Sequence, residues 1–132
     1  MRTLSAWLNK NAGAWLNKRA ASIAYAIEGL AFLFKTQANV KIHVTAIFIV
    51  LLLGVMTDLS GMEWCVIVIA IILVLSVEAV NTSIEVLADK VSPEQHPLIK
   101  HCKDTAAAAV LITAVGAIIL AIIVFLPHWL AH

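Results

Sequence analysis

The chain has 132 residues, 62% of them hydrophobic and 13% charged, whereas a soluble domain is about half apolar and a quarter charged. That balance excludes a water-soluble globule, and the length is too short for two cores, so one membrane-embedded domain spanning 1–132 is expected, with oligomerisation. The net charge of +1 without a block of like charge speaks against a nucleic-acid tail, and Cys65 and Cys102, each standing alone, form neither a disulfide framework nor a zinc spacing. Cys65 is expected only to pack.

The first segment, MRTLSAWLNKNAGAWLNKRA, has no apolar core followed by a small-residue cleavage site, so it does not read as a removable signal peptide. The pentapeptide AWLNK occurs at 6–10 and again at 14–18, too brief for a repeat architecture. From about residue 14 to 36, Ile23, Ile27, Leu30 and Phe34 recur at helical spacing among Lys18, Arg19, Glu28 and Lys35. Trp7, Trp15 and Tyr25 are of the types that prefer the headgroup layer, and the cations suit anionic lipid. The pattern predicts an amphipathic helix on the membrane surface, with a solvated helix covering the bundle as the plainer alternative.

Three apolar runs follow, at about 40–57, 63–88 and 105–126. Roughly 20 residues cross a hydrocarbon core about 30 Å thick. A backbone in lipid must satisfy its own hydrogen bonds, so the Val and Ile content does not argue for strands and three transmembrane helices are expected. Arg2, Lys10, Lys18, Arg19, Lys35, Lys41, Lys90, Lys100 and Lys103 all lie before the first span or between the second and third. The positive-inside rule then puts the N-terminus and the 89–104 loop in the cytoplasm and the C-terminus outside. Trp64 and Trp129 read as outer-interface anchors, and Ala106 to Ala109 with Gly116 as a helix-packing seam. His43, His128 and His132 have no partners at ligand spacing, so interface or terminal roles are expected of them rather than metal binding.

The second span carries the chemistry. Glu78, Asn81, Glu85 and Asp89 follow one another at helical intervals, which at about 100° per residue places all four on one stripe. Acids facing lipid at this depth cost several kcal/mol each, so the stripe faces the bundle interior, a water cavity or a bound cation. A single acid could simply accept hydrogen bonds from a neighbouring helix; three acids and an amide exceed what packing requires. The following segment, 89–105, adds Glu94, His96, Lys100, His101, Lys103 and Asp104 on the side where ATP is available. Lysines that neutralise phosphate oxygens and acids that hold Mg²⁺ are what phosphoryl transfer needs, although GxxxxGK[ST] and the protein-kinase loop motifs are missing. On these residues alone a small cation-coupled transporter, using Glu78 and Glu85, is the rival. A carrier wants its acid near the midplane, whereas this stripe sits at one end of its span. A third reading, a structural scaffold subunit, requires the same residues to tolerate replacement.

At EAVNTSIE (Glu78 to Glu85) and HPLIKHCKDTAAAAVL (His96 to Leu111) the chain resembles the bacterial diacylglycerol kinase and undecaprenol kinase family of small homotrimeric membrane enzymes. The resemblance runs from about Ser22 to Leu126, with weaker support from AIEGL at Ala26 and NVKIH at Asn39. It implies an all-α membrane protein, a surface helix plus three transmembrane helices, in a bacterial inner membrane. It also implies transfer of the γ-phosphate of ATP, with Mg²⁺, to the hydroxyl of a membrane lipid, diacylglycerol or undecaprenol, at a site shared between subunits. By the same resemblance Glu78 is the catalytic base, Asn81 an orienting group beside it, and Glu85 a metal ligand. Glu94, Gln95, His96, Lys103 and Asp104 are nucleotide contacts, joined by Tyr25 and Lys18 from the surface helix. One position departs from the family: Gln37 stands where a second metal-binding Glu is usual, offering a neutral oxygen in place of a charge.

Overall fold

A computed structural model of the chain describes residues 2–92 and 96–130, with side chains from residue 14 onward. It contains four helices, α1 (Arg2–Thr36), α2 (Ala38–Met56), α3 (Gly61–Val91) and α4 (Pro97–Leu130), and no strand among the described residues. The chain divides into two compact units, Met1–Thr36 and Gln37–His132.

The first unit is α1 itself. It begins at Arg2, well before the expected start near residue 14, because the stretch ahead holds no proline and its single glycine, Gly13, costs only about 1 kcal/mol in a helix. Trp15, Leu16, Ile23, Ile27 and Leu30 are exposed, and the Arg19 guanidinium lies 5.3 Å from the centroid of the Trp15 ring, a cation–π contact.

The second unit is the three-helix bundle. Each of α2, α3 and α4 is long and apolar enough to cross a membrane, and most of their large apolar side chains, among them Phe48, Ile69 and Ile112, are exposed. That surface is what lipid covers. α3 packs along α4 and more sparingly against α2. Leu59, Ile67, Val124 and Phe125 form the core, with Val50, Leu53 and Trp64 against it.

The turn between α2 and α3 is tight because Asp58 adopts φ 50°, a left-handed conformation that Asp tolerates better than most residues. Ser60 then starts α3 with a capping box. Its backbone N–H donates to Glu63 Oε2 at 2.8 Å, and its hydroxyl oxygen accepts from the Glu63 N–H at 3.4 Å. Trp64 is half-buried over Gly54, where an added Cβ would meet Cη2 of the ring at 2.7 Å. The indole therefore packs inside the bundle in addition to any anchoring role, and Gly54 is what makes room for it. Cys65, expected to pack, is exposed on the single chain. Gly116 also departs from the expected seam: nothing lies within 4 Å of an added Cβ, and of the alanine run only Ala106 is buried.

At about 1.5 Å per residue α3 is about 46 Å long, more than a bilayer core of about 30 Å requires. A core of that thickness takes up about 20 residues, so part of α3 extends beyond it. α4 overshoots in the same way. It starts at Pro97 rather than near 105, since proline in the first turn forfeits no hydrogen bond and presets the helical φ. His96 precedes it as the cap: its Nδ1 accepts the Leu98 N–H at 3.2 Å.

Candidate active site at one end of the bundle

The stripe on α3 grades from buried to exposed along the helix. Glu78 is 0% exposed, Asn81 and Thr82 are buried, Glu85 is half-buried and Asp89 is exposed. The face therefore starts inside the bundle and emerges toward the end of the helix.

Neither oxygen of Glu78 has a hydrogen-bond donor among the described residues. Burying a carboxylate this way costs several kcal/mol unless something arrives to satisfy it. The nitrogen base nearest to it is on α2, where His43 Nε2 stands 3.9 Å from Glu78 Oε2. Sequence reasoning assigned His43 an interface role. Its register in NVKIH, a fragment that carried the family resemblance, was the available signal for something more.

Asn81 turns toward Glu85 rather than back to Glu78. Its Nδ2 donates to Glu85 Oε1 at 3.0 Å, while its Oδ1 has no partner among the described residues. A donor fixed one helical turn away holds the Glu85 carboxylate in one orientation, as the supporting neighbour of a metal-binding carboxylate should. Thr82, not anticipated from the sequence, adds a fourth buried oxygen without a partner among the described residues.

At the polar end, Lys103 Nζ donates to Asp89 Oδ1 at 2.8 Å, joining the start of α4 to the end of α3. Lys100 Nζ donates to Asp104 Oδ2 at 2.6 Å one turn apart on α4. Both pairs are largely solvent-exposed, so each is worth about 1 kcal/mol or less and is readily exchanged for another ionic partner. With His96 Nδ1 accepting from Leu98, Nε2 is left as the ring's donor when His96 is neutral. Glu94 and Gln95 lie outside the described residues. Tyr25 and Lys18 are exposed on α1, seven residues apart and so on one face of that helix. Gln37 is half-buried at the N-cap of α2, with φ −98° and ψ 116° and no capping hydrogen bond from its side chain.

No three His, Cys, Asp or Glu side chains among the described residues are grouped to hold a metal unaided. Mg²⁺ does not need such a cage. It keeps several waters and takes one or two carboxylates plus substrate phosphates, and the oriented Glu85 carboxylate fits that demand.

An open apolar cavity of about 270 Å³ runs down the bundle from this site. His43, Ala46 and Val50 of α2, Ala70 and Val74 of α3, and Ala117 of α4 line it, with Val74 one turn before Glu78. Small side chains on all three helices create the space.

Three membrane-length helices thus carry a buried acid one turn from an apolar slot, with cation-bearing helix ends beside it, the makings of an integral-membrane protein with a polar site at one end. The comparison with known proteins gives the family. The family described as "Prokaryotic diacylglycerol kinase" matches residues 24–125, and the chain belongs to it. It is 37% identical over 106 residues to the undecaprenol kinase of Bacillus subtilis (strain 168), covering 80% of this chain and 86% of the relative. It is 33% identical over 125 residues to a diacylglycerol kinase of Synechocystis sp. (strain ATCC 27184 / PCC 6803 / Kazusa), covering 94% and 71%. It is 27% identical over 105 residues to the diacylglycerol kinase of Escherichia coli (strain K12), covering 80% and 86%. The protein is thus a lipid kinase of a bacterial membrane, and the carrier reading falls away.

Proposed function

We propose that the protein transfers the γ-phosphate of ATP to the terminal hydroxyl of a membrane lipid, at the cytoplasmic surface of the bacterial inner membrane, as a homotrimer. The observation that carries this reading is Glu78: a fully buried carboxyl without a donor among the described residues, beside His43 at the head of an apolar cavity. A lipid with its chain in that cavity would bring a hydroxyl toward a buried acid whose oxygens accept no hydrogen bond among the described residues. Glu78 accepts the hydroxyl proton as the lipid oxygen forms its bond to the γ-phosphorus, and the bond from that phosphorus to the bridging oxygen breaks to release ADP.

Glu85, oriented by Asn81, and Gln37 would hold Mg²⁺, which would supply charge neutralisation to the phosphates. Lys103 and Asp104 leave their exposed ion pairs to meet the nucleotide, and His96 contributes its Nε2–H. The family resemblance also nominates Glu94, Gln95, Tyr25 and Lys18 as nucleotide contacts. The distribution of Lys and Arg supports an N-terminus and an 89–104 segment in the cytoplasm, with the C-terminus outside.

Of the two acceptors, undecaprenol is favoured, because the relative at 37% identity carries the name undecaprenol kinase while those at 33% and 27% are named diacylglycerol kinases. The test is phosphate transfer from ATP by purified protein in lipid bicelles, with undecaprenol and diacylglycerol offered in parallel. Transfer to undecaprenol, reduced about 10²- to 10⁴-fold in Glu78→Gln, is expected. Transfer to diacylglycerol alone reverses the choice of lipid. Transfer to neither lipid at any Mg²⁺ concentration refutes the reading.

A further inference from the structure

The reaction leaves a proton on Glu78, and the base must lose it before the next turnover. Glu78 is 0% exposed, so it has no direct route to water within the chain. Its neighbours one turn away on α3, Val74 and Thr82, are also buried, and Thr82 Oγ1 makes no hydrogen bond among the described residues. His43 Nε2 is the single nitrogen base among the described residues within 4 Å of the carboxylate.

The His43 side chain keeps 16% of its surface exposed, so the ring stands between the buried acid and the outside. It also belongs to the cavity wall, whose other members are apolar. No other acidic side chain among the described residues comes within ion-pair distance of the ring.

We propose that His43 is a positioning residue for Glu78, holding the carboxylate toward the cavity and carrying its proton away after each transfer. This rests on the role given to Glu78 above. The balance is simple. The lipid O–H proton moves to a Glu78 oxygen as the O–P bond forms; it then passes to Nε2, the ring releases its Nδ1 proton to water, and proton exchange with water or a ring flip restores the Nδ1–H tautomer, so both residues return to their starting states. At 3.9 Å the two groups are not yet hydrogen-bonded. A closing shift of the kind catalytic pairs make on binding substrate, or one bridging water, completes the path.

A residue that merely fills space at the cavity wall has no reason to carry a basic nitrogen, and this separates the proposal from a packing role. The experiment compares wild type, His43→Ala, His43→Gln, Glu78→Gln and the double variant Glu78→Gln/His43→Ala, each full-length in bicelles with ATP, Mg²⁺ and the accepted lipid. Rates are also measured with added imidazoles of graded basicity.

The expected result is a loss in kcat of about tenfold or more in both His43 variants, with KM for ATP held within about twofold. Imidazoles should restore His43→Ala in proportion to their basicity, and the double variant should be no slower than Glu78→Gln alone. His43→Gln retains polar bulk, so its loss, at undiminished thermal stability, separates the missing base from the missing volume. Unchanged kcat in both single variants, rescue independent of basicity, or an additive double variant overturns the proposal while the role of Glu78 stands. A fully active Glu78→Gln overturns the Glu78 reading and this one with it.

Discussion

Replacing Asn81 by alanine removes one hydrogen bond from one carboxylate, and its consequence can be worked through. The Asn81 Nδ2 to Glu85 Oε1 bond is 3.0 Å long, partly buried, and ends on an ionised group. Hydrogen bonds of that kind are worth about 1.5–3 kcal/mol, and about 1.4 kcal/mol is a factor of ten, so orienting Glu85 is worth about 10- to 100-fold. Losses of supporting neighbours at metal sites fall in the same range of about 10- to 100-fold. Alanine is the best helix former, and the substitution also removes Oδ1, an acceptor with no partner among the described residues, so α3 should fold. The assay is the rate of lipid phosphorylation against free Mg²⁺ at fixed Mg·ATP. The half-saturating Mg²⁺ concentration should rise by about the factor above in Asn81→Ala. In Thr82→Val, whose lost hydroxyl makes no hydrogen bond among the described residues, it should stay near the wild-type value. An unshifted Mg²⁺ curve with lower kcat would mean that Asn81 acts on the lipid hydroxyl beside Glu78, and an unshifted curve with full kcat would refute any orienting role.

Three further outcomes follow from the geometry. Gly54→Ala drives a Cβ to 2.7 Å from Trp64 and 3.2 Å from Leu59, an overpacking that costs about 1–3 kcal/mol, so thermal inactivation in detergent should start at lower temperature. Gly116→Ala, with nothing within 4 Å, should leave it unchanged, and a loss there would place that face against a second copy of the chain. Lys103→Met should raise KM for ATP by about tenfold or more, the worth of a charged hydrogen bond, whereas Lys100→Met breaks only an exposed pair one turn apart and should not; equal effects would refute the distinction. Gln37→Glu, which supplies a second carboxylate, should move the Mg²⁺ activation curve to lower concentration, and an unmoved curve removes position 37 from the metal shell.

The three membrane helices were legible in the sequence because lipid imposes one rule on every backbone and leaves long apolar runs as its signature. Their ends were not. α3 runs to Val91 and α4 starts at Pro97, since polar residues outside the hydrocarbon extend a helix as readily as apolar ones within it, and hydropathy registers only the latter. α1 shows the same limit, its helix reaching Arg2 through a stretch whose composition promised nothing. Gly54 and Gly116 make the point for packing: identical residues in apolar helices, one pressed against an indole and the other with open space, distinguishable only once the neighbouring helix is in place.

For the site, the same reasoning separates what lies on one helix from what lies between two. Glu78, Asn81, Glu85 and Asp89 share α3, so their common face follows from a 3.6-residue period, and the bond from Asn81 to Glu85 is a contact that period allows. His43 is on another helix, 35 positions earlier, and nothing in its local spacing relates it to Glu78. What joins them is the packing of α2 on α3, which sets 3.9 Å between Glu78 and His43, the one ionisable residue lining the cavity. A buried acid read from one helix is a complete observation about burial and an incomplete one about chemistry, because a base that takes a proton must also be able to return it. Where the acid has no path to water of its own, the partner we propose for it comes from a different element, at a histidine the sequence had assigned to the interface.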